Sequence, residues 1–333
     1  MYLESSNLSD KTKKYLSILI KLTVLIAAGW IIYSKTNANS DFQTFLKSLN
    51  GLSLSQSIFY LAAVVILMFL NWGLEARKWR FLMRKIEPQT YWSALSGVYC
   101  GLTWAVFTPN RLGEYGGRIL TLRPSRRIPG LFAMTVGSLS QMVVTNVCGL
   151  IAGLVFLYQF QLVDFRLTWG IGIFGLMFIV LYLLAYFHIR LLNNILSSFK
   201  LTRRFKKFYA VLARYSKPEL FRIITYSLFR YLVFTLQYVL LFLWLIPELP
   251  SSQVAILIMV FFFVQAYLPS LDLLDLGVRS LTGLYFFNLL SDKSSAIVAC
   301  FAIIWFVNII IPAILGSYFV LKLNLFGNAK SHI

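Results

Sequence analysis

Apolar residues run along this chain in long blocks, and the polar positions fall between the blocks rather than alternating within them. About twenty mostly apolar residues in a helix cross a hydrocarbon core of about 30 Å. Such blocks run from about Tyr15 to Tyr33, Ile58 to Leu74, Leu131 to Leu157, Thr168 to His188, Ile223 to Ile246 and Ala296 to Leu321. They predict six full spans, the first taken as a span rather than a cleaved signal because no small-residue cleavage pattern follows it. Two further stretches are shorter. Trp92–Phe107 runs into "TPNRLGEYGGR", and Gln253–Leu268 runs into "PSLDLLDLGVR". Pro109 and Pro269 end these stretches, because proline cannot donate the next helical hydrogen bond. Each stretch predicts a re-entrant helical hairpin, at about residues 92–122 and 253–290.

The order of these elements is span, span, hairpin, span, followed by the same order with every direction reversed. The expected architecture is an all-α integral membrane protein built as an inverted-topology repeat, a layout that places a substrate near the bilayer midplane. It forms a single membrane domain over residues 1–333, with repeats 1–160 and 161–333. The competing reading is eight ordinary spans, which would put the "LRPSRR" arginines outside.

Composition supports the membrane reading. Hydrophobic residues make up 59% of the chain and charged residues only 13%, against about 25% charged in soluble domains. The net charge of +19 needs no nucleic acid to explain it, since basic loops gather on the cytoplasmic face against anionic lipid. With the N-terminus inside, that face collects Lys11, Lys13 and Lys14, then Arg77, Lys78, Arg80, Arg84 and Lys85, then Arg123, Arg126 and Arg127. It also collects the basic loop 190–222 and the tail 322–330, leaving Lys35, Lys47, Arg166 and Lys293 outside. A multi-pass protein of the cell (plasma or inner) membrane, with both termini cytoplasmic, is expected. "TRRFKKF" (Thr202–Phe208) reads as a basic surface lying on anionic lipid.

Little conventional chemistry is available. Three cysteines (Cys100, Cys148, Cys300) sit far apart in apolar segments, and two histidines offer no metal spacing. No nucleotide-binding G-x-x-x-x-G-K-[ST] occurs. No metal and no cofactor are expected, and the oligomeric state stays open, a homo-oligomer included.

The charges left at membrane depth are the candidates. Arg111, Glu114 and Arg118 fall at i, i+3 and i+7, so one helical face carries all three and Glu114 reaches either arginine. Gly113, Gly116 and Gly117 would let the returning arm approach neighbouring backbone. The cluster is read in two compatible ways: an ion pair that pins the hairpin, or a guanidinium site for a phosphate headgroup, which a planar fork suits. The second hairpin carries Asp272, Asp275, Gly277 and Arg279. Its aspartates could pair with the first hairpin, form a cation or ammonium site, or sit solvated at the external mouth. Gln141, Thr145 and Asn146 are expected to hydrogen-bond between helices, and Arg230 to snorkel to the cytoplasmic face.

"TPNRLGEYGGRIL" resembles the P-x-R-x-G-E…R…L signature of the lysylphosphatidylglycerol synthetase transmembrane-region, or flippase-like, family. "YLPSLDLLDLGVRS" is similar to that family's later L-P…G-x-G-V-R-E segment. The matching positions are Pro109, Arg111, Gly113, Glu114 and Arg118, then Pro269, Gly277, Val278 and Arg279. Ser280 stands where the family has glutamate, and Asp275 is the candidate to replace it. The resemblance implies a membrane protein that moves a lipid between leaflets, without the soluble aminoacyltransferase domain of two-domain relatives.

The expected function is therefore a flippase or lipid transporter and not an enzyme. Its partner would be a membrane lipid with an anionic or zwitterionic headgroup, or a polyprenyl phosphate. Two alternatives stand beside it: an enzyme acting on a lipid phosphate with Glu114 or an aspartate as base, and a non-transporting subunit of a cell-envelope synthesis complex.

Overall fold

The computed structural model describes residues 53–108, 111–189, 198, 210–268 and 275–322. Among these residues the regular structure is helical throughout. In chain order the helices are α1 (Leu54–Met83), α2 (Tyr91–Ala105), α3 (Leu112–Leu120), α4 (Arg127–Gln159), α5 (Phe165–Phe187), α6 (Lys217–Leu245), α7 (Ser251–Gln265), α8 (Asp275–Phe287), α9 (Ser294–Trp305) and α10 (Ile311–Lys322). A π-helical turn, Phe306–Ile310, joins α9 to α10 without a break. Pro312 has no N–H to offer the Asn308 carbonyl, and a π turn is one way a helix absorbs such a loss.

Five helical segments are long and apolar enough to cross a membrane: α1, the Pro124–Gln159 segment containing α4, α5, α6, and the continuous Ser294–Leu321 segment. The described residues are all-α, with apolar helices of membrane-spanning length. The expected span Tyr15–Tyr33, the Thr202–Phe208 segment and the C-terminal tail lie outside the described residues.

Helix α1 corrects the sequence reading. It does not stop at Leu74 but runs on through the charged "EARKWRFLM" to Met83. A 30-residue helix is about 45 Å long, so its last turns carry charge inside the bundle. Lys78, expected in a cytoplasmic loop, is only 2% exposed.

Helices α1 and α6 lie antiparallel at the centre. At one end the Tyr215 hydroxyl donates to the Leu82 carbonyl at 2.8 Å and Lys85 pairs with Glu219 at 2.5 Å. Towards the other end the Gln237 amide donates to the Val64 carbonyl at 2.9 Å, and Tyr60 stacks on Trp244. Helix α6 begins at a capping box, Ser216 with Glu219, and has a proline in its first turn.

Each short pair of helices returns to the end it started from. Before α2 lies Glu87 and after α3 lies Arg123, whose backbone N–H donates to the Glu87 carboxylate at 3.2 Å. Before α7 lies Glu248 and after α8 lies Lys293, and these two pair at 2.6 Å. The first pair opens beside the end of α1 that carries Arg84, and the second opens beside the opposite end, where α6 finishes. At 15 and 9 residues, α2 and α3 are about 22 and 14 Å long, each too short to cross.

Helices α2 and α7 each pack onto a helix of the other half. Helix α2 lies on α10, where the Thr103 hydroxyl donates to the Ala313 carbonyl at 3.0 Å. Helix α7 lies on α4, and the Tyr267 hydroxyl just beyond it donates to Asn146 Oδ1 at 2.8 Å. An aromatic core of Tyr238, Phe242, Phe261, Phe287 and Phe301 ties α6, α7, α8 and α9 together, with Phe242 stacked on Phe287 at 4.1 Å. Cys100 and Cys300 are buried packing residues.

Candidate functional site

The loop between α2 and α3 places the first arginine. Arg111 precedes α3 with φ 57°, in the left-handed region that non-glycine residues rarely occupy. Such a conformation costs on the order of 1–3 kcal/mol and persists only where the surroundings enforce it. Arg111 makes no side-chain cap. Thr108 does that work instead, its hydroxyl accepting from the Gly113 N–H at 2.6 Å. The turn leaves Arg111 Nε 3.3 Å from Glu114 Oε2.

Glycine lets the two arms close. A methyl group on Gly113 would lie 2.1 Å from the Trp104 carbonyl oxygen, and one on Gly117 would lie 2.6 Å from the Cys100 carbonyl oxygen. Both obstructions are backbone, so neither can yield. At Gly116 and Gly277 an added methyl meets nothing within 4 Å. Close approach is therefore not what either of these glycines serves, which corrects the expectation for Gly116.

Closure carries Arg118 into the bundle, where its side chain is 3% exposed. Arg118 Nη2 bonds Glu114, and Nη1 reaches Glu75 Oε1 at 2.6 Å. Glu75 belongs to α1 and is the hub. Its second oxygen takes Lys78 Nζ at 2.9 Å and Arg230 Nη1 from α6. Arg230 Nε also donates to Asn71 Oδ1 at 3.0 Å, and Nη1 lies 3.5 Å from Gln141 Oε1. Lys78 reaches the Gly137 carbonyl at 3.5 Å and the Ser227 hydroxyl at 3.4 Å, linking α1 to α4 and α6. Three cations thus converge on one carboxylate, and a second carboxylate shares one of them.

Two tryptophans support the cations. The Arg230 guanidinium lies 5.3 Å from the Trp72 ring centroid, Arg111 lies 6.0 Å from the same ring, and Arg118 lies 5.8 Å from Trp79. Cation–π attraction is worth about 2 kcal/mol when desolvated. Asn71, Trp72, Glu75, Lys78 and Trp79 follow the 3.6-residue period, so one face of α1 presents them all.

These groups line a cavity of about 390 Å³. Arg111 stands at its rim, its side chain 35% exposed. Arg279 of α8 lines the same cavity, as do Tyr115, Ser138, Gln141, Thr145, Tyr231 and the phenyl rings of Phe234 and Phe262. Arg111, Glu114, Arg118 and Arg279, predicted from two distant motifs, therefore share one space. Pro109, Pro269 and Asp272 lie outside the described residues, as does the side chain of Asp275. Asn146 is a hydrogen-bonding residue between helices, as the sequence reading has it.

Glu75 and Lys78 are functional candidates that the sequence reading missed, and Arg230 is one that it misread. Arg230 does not snorkel: its side chain is 12% exposed and held by Glu75. At about 1.5 Å per residue, Glu75 lies roughly 12 Å from the C-terminal end of α1 and Arg230 roughly 20 Å from the N-terminal end of α6. Among the described residues no group of His, Cys, Asp and Glu could hold a metal ion.

No protein-family model matches the chain, and no curated protein matches it.

Proposed function

We propose that this chain is a membrane lipid transporter of the flippase type, holding a phosphate-bearing headgroup among Lys78, Arg111, Arg118 and Arg230 while the headgroup passes between leaflets. The convergence of Lys78, Arg118 and Arg230 on Glu75, inside a cavity among helices of membrane-spanning length, carries the proposal. Each charge brought to membrane depth costs about 2.5–3.5 kcal/mol on insertion scales. A bundle needing only internal neutrality would match cations to carboxylates. Among the described residues, buried Lys78 and Arg118 and the nearly buried Arg230 share two carboxylates, and arginine forks suit phosphate oxygens.

An inverted repeat supplies the movement. Its support is the paired arrangement: two short hairpins opening at opposite ends, α2 packed on α10, and α7 packed on α4. In such folds one repeat rocks against the other around a fixed site. The end of the bundle carrying Arg84, Arg123 and Arg126 is assigned to the cytoplasm by the bias of positive charge. The resemblance of the two hairpin motifs to flippase-like proteins points the same way.

The test is reconstitution into liposomes with headgroup-labelled phospholipid and an impermeant quencher. Protein-dependent loss of the protected inner-leaflet signal is the expected result, and R118A and R230A should slow it at least tenfold. Transport unchanged in both variants would overturn the site. Release of a cleaved or modified lipid in detergent, with no second compartment, would replace the transporter by an enzyme.

A further inference from the structure

Phe81 gathers two guanidiniums at the end of the bundle where α1 finishes and α6 begins. Arg84 of α1 lies 4.3 Å and Arg222 of α6 lies 5.1 Å from its ring centroid, and Tyr226 packs on the same ring. An aromatic ring attracts cations, so Phe81 draws together two groups that repel each other. Arg84 shares Glu219 with Lys85, at 3.2 and 2.5 Å, and the Ser216 N–H donates to the same carboxylate at 2.8 Å. Both arginines are within reach of a ligand: the Arg84 side chain is 52% exposed, and Arg222 is exposed. Neither lines the cavity. Arg77, one turn before Phe81, and Lys217, at the start of α6, add to the positive charge, and the stretch 190–209 contains no acidic residue.

The exposed surface leading away from this end is apolar. Phe229 and Leu232 are exposed on α6, and Ile66 and Leu70 on α1. Phe229 follows Arg222 by two helical turns, so the two share one face. At 1.5 Å per residue, Phe229 and Leu232 lie about 10 and 15 Å along α6 from Arg222, the depth of one leaflet's chains in a hydrocarbon core of about 30 Å. We propose that Arg84 and Arg222 hold the phosphate of an anionic phospholipid of the surrounding leaflet, its chains lying along this face of α1 and α6. Each guanidinium fork meets two phosphate oxygens at once, and an anion shared by the two arginines removes their repulsion. The apolar continuation selects a lipid over a free phosphate, and basic residues at headgroup level draw anionic lipid from the leaflet. The site lies outside the cavity and does not depend on the transporter reading.

The experiment is native mass spectrometry of the purified, delipidated chain, titrated with phosphatidylglycerol and phosphatidylcholine of the same chain length. Phosphatidylglycerol should bind about tenfold tighter than phosphatidylcholine. The double variant R84K/R222K keeps both charges and loses both forks, so its affinity for phosphatidylglycerol should fall about fivefold. R126K, changed at an exposed arginine of the same end, should bind as the parent does. Unchanged affinity in R84K/R222K, or an equal fall in R126K, would leave only diffuse surface charge and overturn the site. Equal binding of the two lipids would overturn it as well. Displacement of phosphatidylglycerol by glycerol phosphate would replace the lipid by a free phosphate ester. A fall in R118A with none in R84K/R222K would put the bound lipid in the cavity, which sinks this site and supports the transporter reading.

Discussion

Arg118, on the short returning arm of a hairpin, closes a 2.6 Å ion pair with Glu75 of the long helix α1. Both side chains are almost fully buried, at 3% and 6% exposure. The pair joins the hairpin to the central helices, and Arg230 on the other oxygen of Glu75 joins α6 to the same point. One carboxylate therefore holds three elements in register. Ion pairs of this kind add little net stability over an apolar core, but breaking one side strands the other.

Neutralising the hub should be severe. In E75Q, Lys78, Arg118 and Arg230 lose their shared counter-charge, and a loss of about 3–5 kcal/mol is expected. Thermal unfolding in detergent measures it. The double variant E75Q/R230M removes one stranded cation and should recover part of the loss. A double variant no better than the sum of its two single changes would show that the two residues are not coupled.

The glycines of α3 separate packing from helix propensity. G113A and G117A each drive a methyl group into carbonyl backbone at 2.1 and 2.6 Å, so both should lower the thermal midpoint sharply. In G116A the methyl meets nothing within 4 Å, and alanine is favoured over glycine in a helix by roughly 0.5–1 kcal/mol. A midpoint at or above that of the parent is expected for G116A. Equal loss in all three variants would contradict the hairpin packing.

The long helices were legible because a run of apolar residues is a local property, although α1 runs nine residues past its predicted block to Met83. The pairs of short helices were legible where an apolar run fell short of a full span. Glu75 and Lys78 were not, because a block ended at its first charge treats all that follows as loop. Their spacing with Asn71, Trp72 and Trp79 does carry the helical period, and "NWGLEARKW" holds the only acid in that region. Arg230 was beyond reach for another reason. A lone arginine near a helix end looks the same whether it snorkels or meets a carboxylate, and its partner lies 155 residues away.

The exposed pair closing the second hairpin should behave in the opposite way to the buried hub. Lys293 hydrogen-bonds Glu248 and holds its carboxyl below the ordinary value. The folded-state value is depressed, so any stabilisation is present above the ordinary carboxylate pKa and is lost as pH falls through the lowered one. Both groups are in water and screened. E248Q should leave the thermal midpoint unchanged at neutral pH in high salt, where E75Q still shows its full loss.

Labelling tests how the first hairpin lies in the membrane. In a background without the native cysteines, S125C and R84C should react with an impermeant thiol reagent from one side and D292C from the other. Ser125 lies just after α3, at the end from which α2 departs. If S125C reacts together with D292C, the α2 and α3 pair crosses instead of returning.

One half of the bundle would rock against the other on two contacts, α2 with α10 and α4 with α7. Helix α10 meets α2 at Gly316, where a methyl group would lie 2.1 Å from the Tyr99 carbonyl oxygen. Helix α4 meets α7 at Gly149, where a methyl group would lie 2.4 Å from Phe263 Cβ and close to its ring. The first obstruction is backbone inside a helix and cannot move without shifting α2. The second is Phe263 Cβ, which the α7 backbone fixes, so it cannot move without shifting α7. Both G316A and G149A should therefore lower the thermal midpoint. If these contacts are the sliding surfaces of a transporter, G149A should also slow lipid movement by more than its loss of stability explains. An unchanged midpoint in either variant would mean that its contact is looser than these distances. Unchanged transport in G149A would remove this contact from the moving parts.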